Sequence, residues 1–161
     1  MKFTSKMTLS LLMVCMAWLA PATVLAHPHL LDVKDKVEVS PDVMLDDLRQ
    51  TQVIFVGELH DNLGHHQAQL SIIDALDNDE TPLAIGLEMF RRDSQEDLDV
   101  WSAGKSSVAE FMKTFNNNWG MWPVYSGIFM HARDENVKMV GLNIPRSITG
   151  KVARNGYKSL S

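Results

Sequence analysis

Apolar positions recur along this chain with two periods that alternate. Gln52 to Gly57 (QVIFVG), Leu83 to Glu88 (LAIGLE) and Val137 to Leu142 (VKMVGL) are short, nearly continuous apolar runs rich in β-branched residues. Such runs suit strands covered on both faces of a parallel sheet. Between them the spacing changes to that of helices. Ser40-Pro41-Asp42 opens the first, with a serine cap, proline at the first position and an acid in the first turn, ahead of Val43, Met44, Leu45 and Leu48. Leu63, His66, Leu70, Ile73 and Leu76 mark a second helix, with Asp61 or Asn62 as its cap. Further helices are predicted over Asp93 to Trp101, Val108 to Phe115, Pro123 to Glu135 and Pro145 to Asn155, the last ended by Gly156. Asn116 to Asn118 reads as a loop. The expected fold class is therefore α/β: a three-layer arrangement on a mainly parallel sheet with right-handed helical crossovers. Three strands make a thin sheet, and the expectation is an incomplete domain with further strands downstream; the alternative is a small complete one.

The first 26 residues stand apart. Lys2 and Lys6 precede an apolar run, Met7 to Ala20, that is short for a bilayer span, and Val24-Leu25-Ala26 offers a cleavage point. Residues 1–26 are expected to be a secretory signal peptide cut after Ala26, placing the mature chain in the periplasm or otherwise outside the cytoplasm with no transmembrane segment left. The lesser alternative is an uncleaved anchor. Val14 before Cys15 does not fit a lipoprotein signal, and loss of Cys15 leaves a mature chain without thiols, disulfides or thiolate ligands. Residues 27–40 form an extended lead-in, and residues 41–161 the domain. Composition is ordinary for a globular protein, with 45% hydrophobic and 22% charged residues, and a net charge of −5 argues against general nucleic-acid binding.

Each predicted strand ends in a polar side chain: Glu58 and then His60 after the first, Glu88 at the second, Asn143 at the third. Ligands of open parallel sheets bind beyond the carboxyl ends of the strands, so these groups are expected on one rim. Glu58 and His60 could equally cap the next helix and bond to backbone, and Gly57 could serve only a tight turn. His65 and His66 project about 100° apart on a helix and do not suit one small metal ion. His66 shares the apolar stripe and reads as a packed histidine, while His65 is more exposed. The His60-x4-His65 spacing matches no standard zinc pattern. His27 and His29 at the new N-terminus could pick up copper or zinc but read better as a solvated tail, and His131 has no partner visible in sequence. Tyr125 lies on the apolar face of its helix, either a core tyrosine with its hydroxyl at the rim or, as tyrosinate, an axial ligand of haem iron. Met89, Met112, Met121, Met130 and Met139 add soft apolar surface that suits a porphyrin or any core.

The segment VGELHDNLGHHQAQLSII (Val56 to Ile73) resembles the opening motif of the ChaN-like haem-binding family, which is grouped with the TraB and Tiki proteins and more distantly with the erythromycin esterases. GLEMFRRDSQEDLD (Gly86 to Asp99) and GLNIPRSITGKVARNGY (Gly141 to Tyr157) resemble its second and third motifs. The resemblance runs in order from about Pro41 to Tyr157 and covers the N-terminal part of the family's length. It implies an envelope protein that binds haem for haem or iron acquisition, a homodimer holding haems face to face, and envelope haem-uptake components as partners. It further implies iron ligation through a tyrosine helped by a histidine, with Tyr125 the first choice and Tyr157 the other, and Glu58, His60, Glu88 and Asn143 at the family's characteristic polar positions. His65 stands near these groups, and Arg146, with Arg91 and Arg92, could meet the propionates or equally be solvated surface. Two other functions compete with haem binding. One is a metal-dependent hydrolase of the Tiki or esterase type, with Glu58 or Glu88 as base and His60 as ligand or proton shuttle; it lacks a convincing third ligand. A serine triad has no support, since Ser126-Gly127 is no nucleophile elbow. The other is an inactive truncated remnant.

Overall fold

A computed structural model describes residues 29–77 and 81–160. The signal-peptide reading, Cys15 and His27 fall outside the described residues. The chain divides into two compact units that meet at Ser40 and Pro41. In the described part of the first, β1 (Leu30–Asp32) and β2 (Val37–Val39) form an antiparallel hairpin. The Asp32 carboxylate turns the chain by accepting from the backbone N–H groups of Lys34 (2.8 Å) and Asp35 (3.1 Å), and Lys36 takes the left-handed conformation that completes the turn.

The second unit carries six helices among its described residues: α1 (Pro41–Arg49), α2 (Leu63–Leu76), α3 (Gln95–Ser102), α4 (Val108–Asn118), α5 (Trp122–Asp134) and α6 (Arg146–Asn155). Two strands, β3 (Ala84–Arg91) and β4 (Lys138–Asn143), pair in parallel with Ala84 opposite Lys138 and Leu87 opposite Gly141. The class is thus α/β with a parallel pair linked by helical crossovers. Local chemistry explains most boundaries. Asn62 caps α2 by accepting from His65 N–H. Ser107 and Glu110 form a reciprocal capping box at the start of α4. Gly156, at φ 71°, terminates α6.

Helices α3, α4 and α5 cover one face of the β3–β4 pair over an aromatic core. Phe90, Trp101, Phe115, Tyr125 and Phe129 are almost wholly buried, and Trp101 stacks on Phe111 with ring centres 4.3 Å apart. Burying each large side chain is worth roughly 1.5–3 kcal/mol, which is why this cluster can hold three helices on so small a sheet. The Trp101 indole N–H donates to the Phe129 carbonyl at 2.8 Å, so its burial leaves no unmet donor. On the opposite face of β3, Ala84, Gly86 and Glu88 are exposed.

Three expectations need correction. Residues 52–57 form no strand among the described residues, and Val53 and Phe55 are exposed, Phe55 at 93%. An apolar run records a tendency to be covered, but becoming a strand also requires a hydrogen-bonding neighbour, and none pairs with it here. The Asn116–Asn118 loop is instead the last turn of α4. Asn118 is buried there; its Oδ1 accepts from Arg91 N–H (3.1 Å), and its amide donates to Ser94 Oγ and the Thr114 carbonyl, both at 2.9 Å. Gly57 also loses its expected reason, because its φ is not positive and an added Cβ would meet nothing within 4 Å.

One side chain finishes the sheet. Gln95, at the start of α3, donates its amide to the Met139 carbonyl (2.8 Å) and accepts from Gly141 N–H (3.0 Å). These are the groups that one residue of a further parallel strand would engage, so the outer edge of β4 is occupied by a side chain. On the inner side, β3 and β4 approach so closely at Gly141 that a Cβ there would sit 2.6 Å from the Arg91 carbonyl oxygen. Gly141→Ala should therefore destabilise the chain by roughly 1–3 kcal/mol in denaturant melts, while Gly57→Ala should change stability by less than about 0.5 kcal/mol. Equal effects at the two positions would refute this account of the strand contact.

Candidate functional site

The polar centre of the domain is built on Glu58, which follows the unpaired 52–57 run. Its side chain is only 11% exposed. Tyr125, from α5, donates its hydroxyl to Glu58 Oε1 at 2.7 Å, and His60 Nδ1 lies 2.6 Å from the same oxygen. A carboxylate oxygen can only accept, so the His60 proton sits on Nδ1. The His60 ring packs edge-on against Trp119, 5.0 Å between centres, and is more than half exposed, leaving Nε2 without a protein partner. Below lies His66 of α2, almost fully buried. Its Nε2 bonds to the His60 carbonyl at 3.0 Å and stands 3.3 Å from Glu58 Oε2, and its Nδ1 faces Gln69 Oε1 at 3.0 Å. Glu58 Oε2 itself receives no hydrogen bond within the protein.

These contacts bias the titrations. Burial pulls the Glu58 carboxyl upward, but hydrogen bonds from Tyr125 and His60, together with the nearby histidine charges, outweigh it and leave the group below its ordinary value. The hydrogen bond to Glu58 raises His60 above its ordinary value against some desolvation, and the charges of Glu58, Glu88 and Asp61 add to the rise. Burial, followed by the Glu58 hydrogen bond and charge, pushes the Tyr125 phenol up, with Glu88 adding to the shift and Trp119 opposing it.

The expected site residues divide between two neighbouring places. Glu58, His60 and Tyr125 are in mutual contact; Glu88, expected at a strand end, lies inside β3, which runs on to Arg91, and its charge acts on both His60 and Tyr125. His65 is engaged locally instead. Its Nδ1 accepts from Leu59 N–H at 2.8 Å and fixes the turn between Glu58 and His60. Asn143 and Arg146 line a separate cleft of about 170 Å³ beyond the carboxyl ends of β3 and β4, together with Met89, Arg91, Asn118, Trp119, Ile144 and Thr149. Trp119 borders both places. It and the hydrogen-bonding part of His66 were not foreseen; the available signal was a tryptophan in the short connection between two helices, where side chains are free to serve a site. His131 does find partners, Asp77 at 3.1 Å and Asp74 at 3.9 Å, which tie α5 to the end of α2. Tyr157 is 83% exposed. Among the described residues no group of three or more His, Cys, Asp or Glu side chains could hold a metal ion.

Residues 44–161 match the family model described as haem-binding uptake, Tiki superfamily, ChaN. The chain belongs to the ChaN family. A solved structure described as cofacial heme binding to ChaN of Campylobacter jejuni superposes with a TM-score of 0.68 at 25% sequence identity; the match covers 79% of this chain and 52% of that one. The present ChaN-family chain thus spans about half the length of the relative whose structure it matches. No curated protein matched its sequence.

The Glu58–His60 pair sets a pH window. Glu58 ionises more readily in the folded chain, so its contribution is present above 4.5 and is lost as pH falls through the lowered value. His60 holds its proton more tightly in the folded chain, so its contribution is full below 6.5 and is lost as pH rises through the raised value. Wild-type thermal stability should accordingly fall as pH rises above about 6.5, and Glu58→Gln should flatten that slope. Parallel pH profiles for the two proteins would show that the pair does not set it.

Proposed function

We propose that this chain binds haem, with His60 of the Glu58-anchored cluster facing the iron. The observation that carries this reading is an imidazole whose Nδ1 is tied to a carboxylate while Nε2 lacks a protein partner. Metal-ligating histidines are commonly oriented this way, because the carboxylate fixes the tautomer and increases the basicity of the free nitrogen. The ChaN family match and the Campylobacter jejuni structure support haem as the group received. When bound, haem would supply an iron centre that accepts the imidazole. Glu58 would orient His60, Tyr125 would hold Glu58 in place, and Leu59, 62% exposed, would offer apolar surface beside them.

This reading shifts the iron-facing role away from Tyr125. Its side chain is 1% exposed, its hydroxyl is committed to Glu58, and its phenolate form is disfavoured by burial and by that carboxylate. Tyrosinate ligation would require that hydrogen bond to break and the ring to leave the core. The hydrolase alternative gains no third metal ligand from the described residues.

The cleft beside Trp119 is smaller than the roughly 300–1,000 Å³ of pockets that enclose drug-sized ligands. A porphyrin held here would keep much of its surface uncovered, and we assign the missing cover to a second copy of the chain, giving a homodimer. Export to the periplasm and a role in haem or iron uptake complete the proposal. The apolar run after Lys2 and Lys6 supports export, and no helix among the described residues is long and apolar enough to cross a membrane.

Haem titration followed at the Soret band tests the ligand assignment. His60→Ala should shift the band and weaken binding by at least about tenfold, whereas Tyr125→Phe should keep the band position and weaken binding only a few-fold. The reverse pattern would restore Tyr125 as the ligand, and no Soret band with the wild-type chain would end the haem reading. For export, the mass of the protein recovered from the periplasm should correspond to an N-terminus at His27; recovery with Met1 retained in the membrane would refute cleavage.

A further inference from the structure

The cleft next to the Glu58 cluster has a distinct chemistry. In a chain of net charge −5, its lining contains two arginines and no acid. Arg91 is fastened by Asp93, 3.3 Å from its Nε, and by the Asn117 carbonyl, 3.0 Å from its Nη1. The Arg146 guanidinium is exposed and has no hydrogen bond or ion pair among the described residues. Asn143 spends its Oδ1 on Ile144 N–H at 2.8 Å, which leaves its amide N–H groups as the remaining function. Arg146 is also the first residue of α6, and the preceding Pro145 provides no side-chain cap. The first-turn N–H groups therefore add positive potential at the same wall. The uncommitted polar groups around the cleft are thus donors and cations, gathered where the ends of β3 and β4 meet a helix start. A ligand that satisfies them has to be an acceptor with negative charge, and a planar carboxylate matches the fork of a guanidinium.

We propose that this cleft is a carboxylate subsite that takes a propionate of the bound haem, with Arg146 as its principal contact and Asn143 as a second donor. The inference rests on the haem reading above and adds to it the part of the chain that fixes the edge of the porphyrin. Trp119 makes the connection, since it lines the cleft and its ring lies 5.0 Å from that of His60. The subsite also explains how one half-exposed imidazole could suffice on this chain. The second attachment restricts the orientation of the macrocycle about the iron ligand.

The test compares haem with haem dimethyl ester, whose carboxylates are blocked, on the wild-type chain and on Arg146→Ala. Arg146 is exposed and makes no side-chain contact that folding depends on, so the variant should fold. The wild-type chain should bind haem about tenfold more tightly than the ester, and Arg146→Ala should lose that preference with little change toward the ester. An undiminished preference in Arg146→Ala, or equal weakening toward both porphyrins, would overturn the subsite. If neither porphyrin binds the wild-type chain, the haem reading has failed and sodium propionate decides the subsite alone. A saturable shift of the Arg146 Nε–H resonance in a nitrogen-15-labelled chain would then support it, and an unmoved resonance would overturn it.

Discussion

Withdrawing a carboxylate from water is costly unless donors replace the lost hydration, and at Glu58 two donors meet Oε1 while Oε2 receives none. One of its oxygens accepts from two side chains, one two residues away and the other 67 residues away. The long-range bond ties the connection ahead of α2 to the first turn of α5, while His66 of α2 lies beneath. The same bonds that engage Oε1 also aim His60 outward and hold Tyr125 inward. Stability and ligand geometry are therefore not separable at this point. Any change that weakens the carboxylate releases three polar groups from one environment.

The aromatic core plays a complementary part. It fixes α3, α4 and α5 on one face of a two-stranded sheet, so the ends of β3 and β4 and the start of α6 come to lie together. Asn118, buried at the end of α4, bonds to the backbone at the end of β3 and to Ser94, which closes the lower wall of the cleft. The chain leaves that anchor directly into Trp119 and then passes Met121, whose left-handed backbone starts α5. A left-handed conformation at a non-glycine residue is held only by its surroundings.

Helices were legible because their signals are local. Asn62 and Gly156 each act within a turn of where they stand, and the apolar spacing between them is regular. The β3 and β4 runs were legible for the same reason. The 52–57 run was misread because a strand exists only with a partner, and no property of Val53 to Val56 records whether one is present. Asn118 was misread because three adjacent asparagines suggest a loop, while the bonds that bury the last of them come from Arg91 and Ser94, remote in sequence. For the site, the strand-end rule brought Glu58, His60 and Glu88 to attention. It could not tell that His65 would be used up on a backbone N–H, nor that Asn143 and Arg146 would border a different space. Those distinctions depend on which way side chains turn after the helices have packed.

Gln95 carries a consequence for how such a sheet can grow. Its amide imitates one residue of a neighbouring strand, and it sits on α3, which is fixed by the core. Extension beyond β4 would require that helix to be levered away, so addition is directed to the β3 flank. The domain thereby acquires a polarity of assembly. The β4 flank is sealed against chance pairing with other chains by a single glutamine.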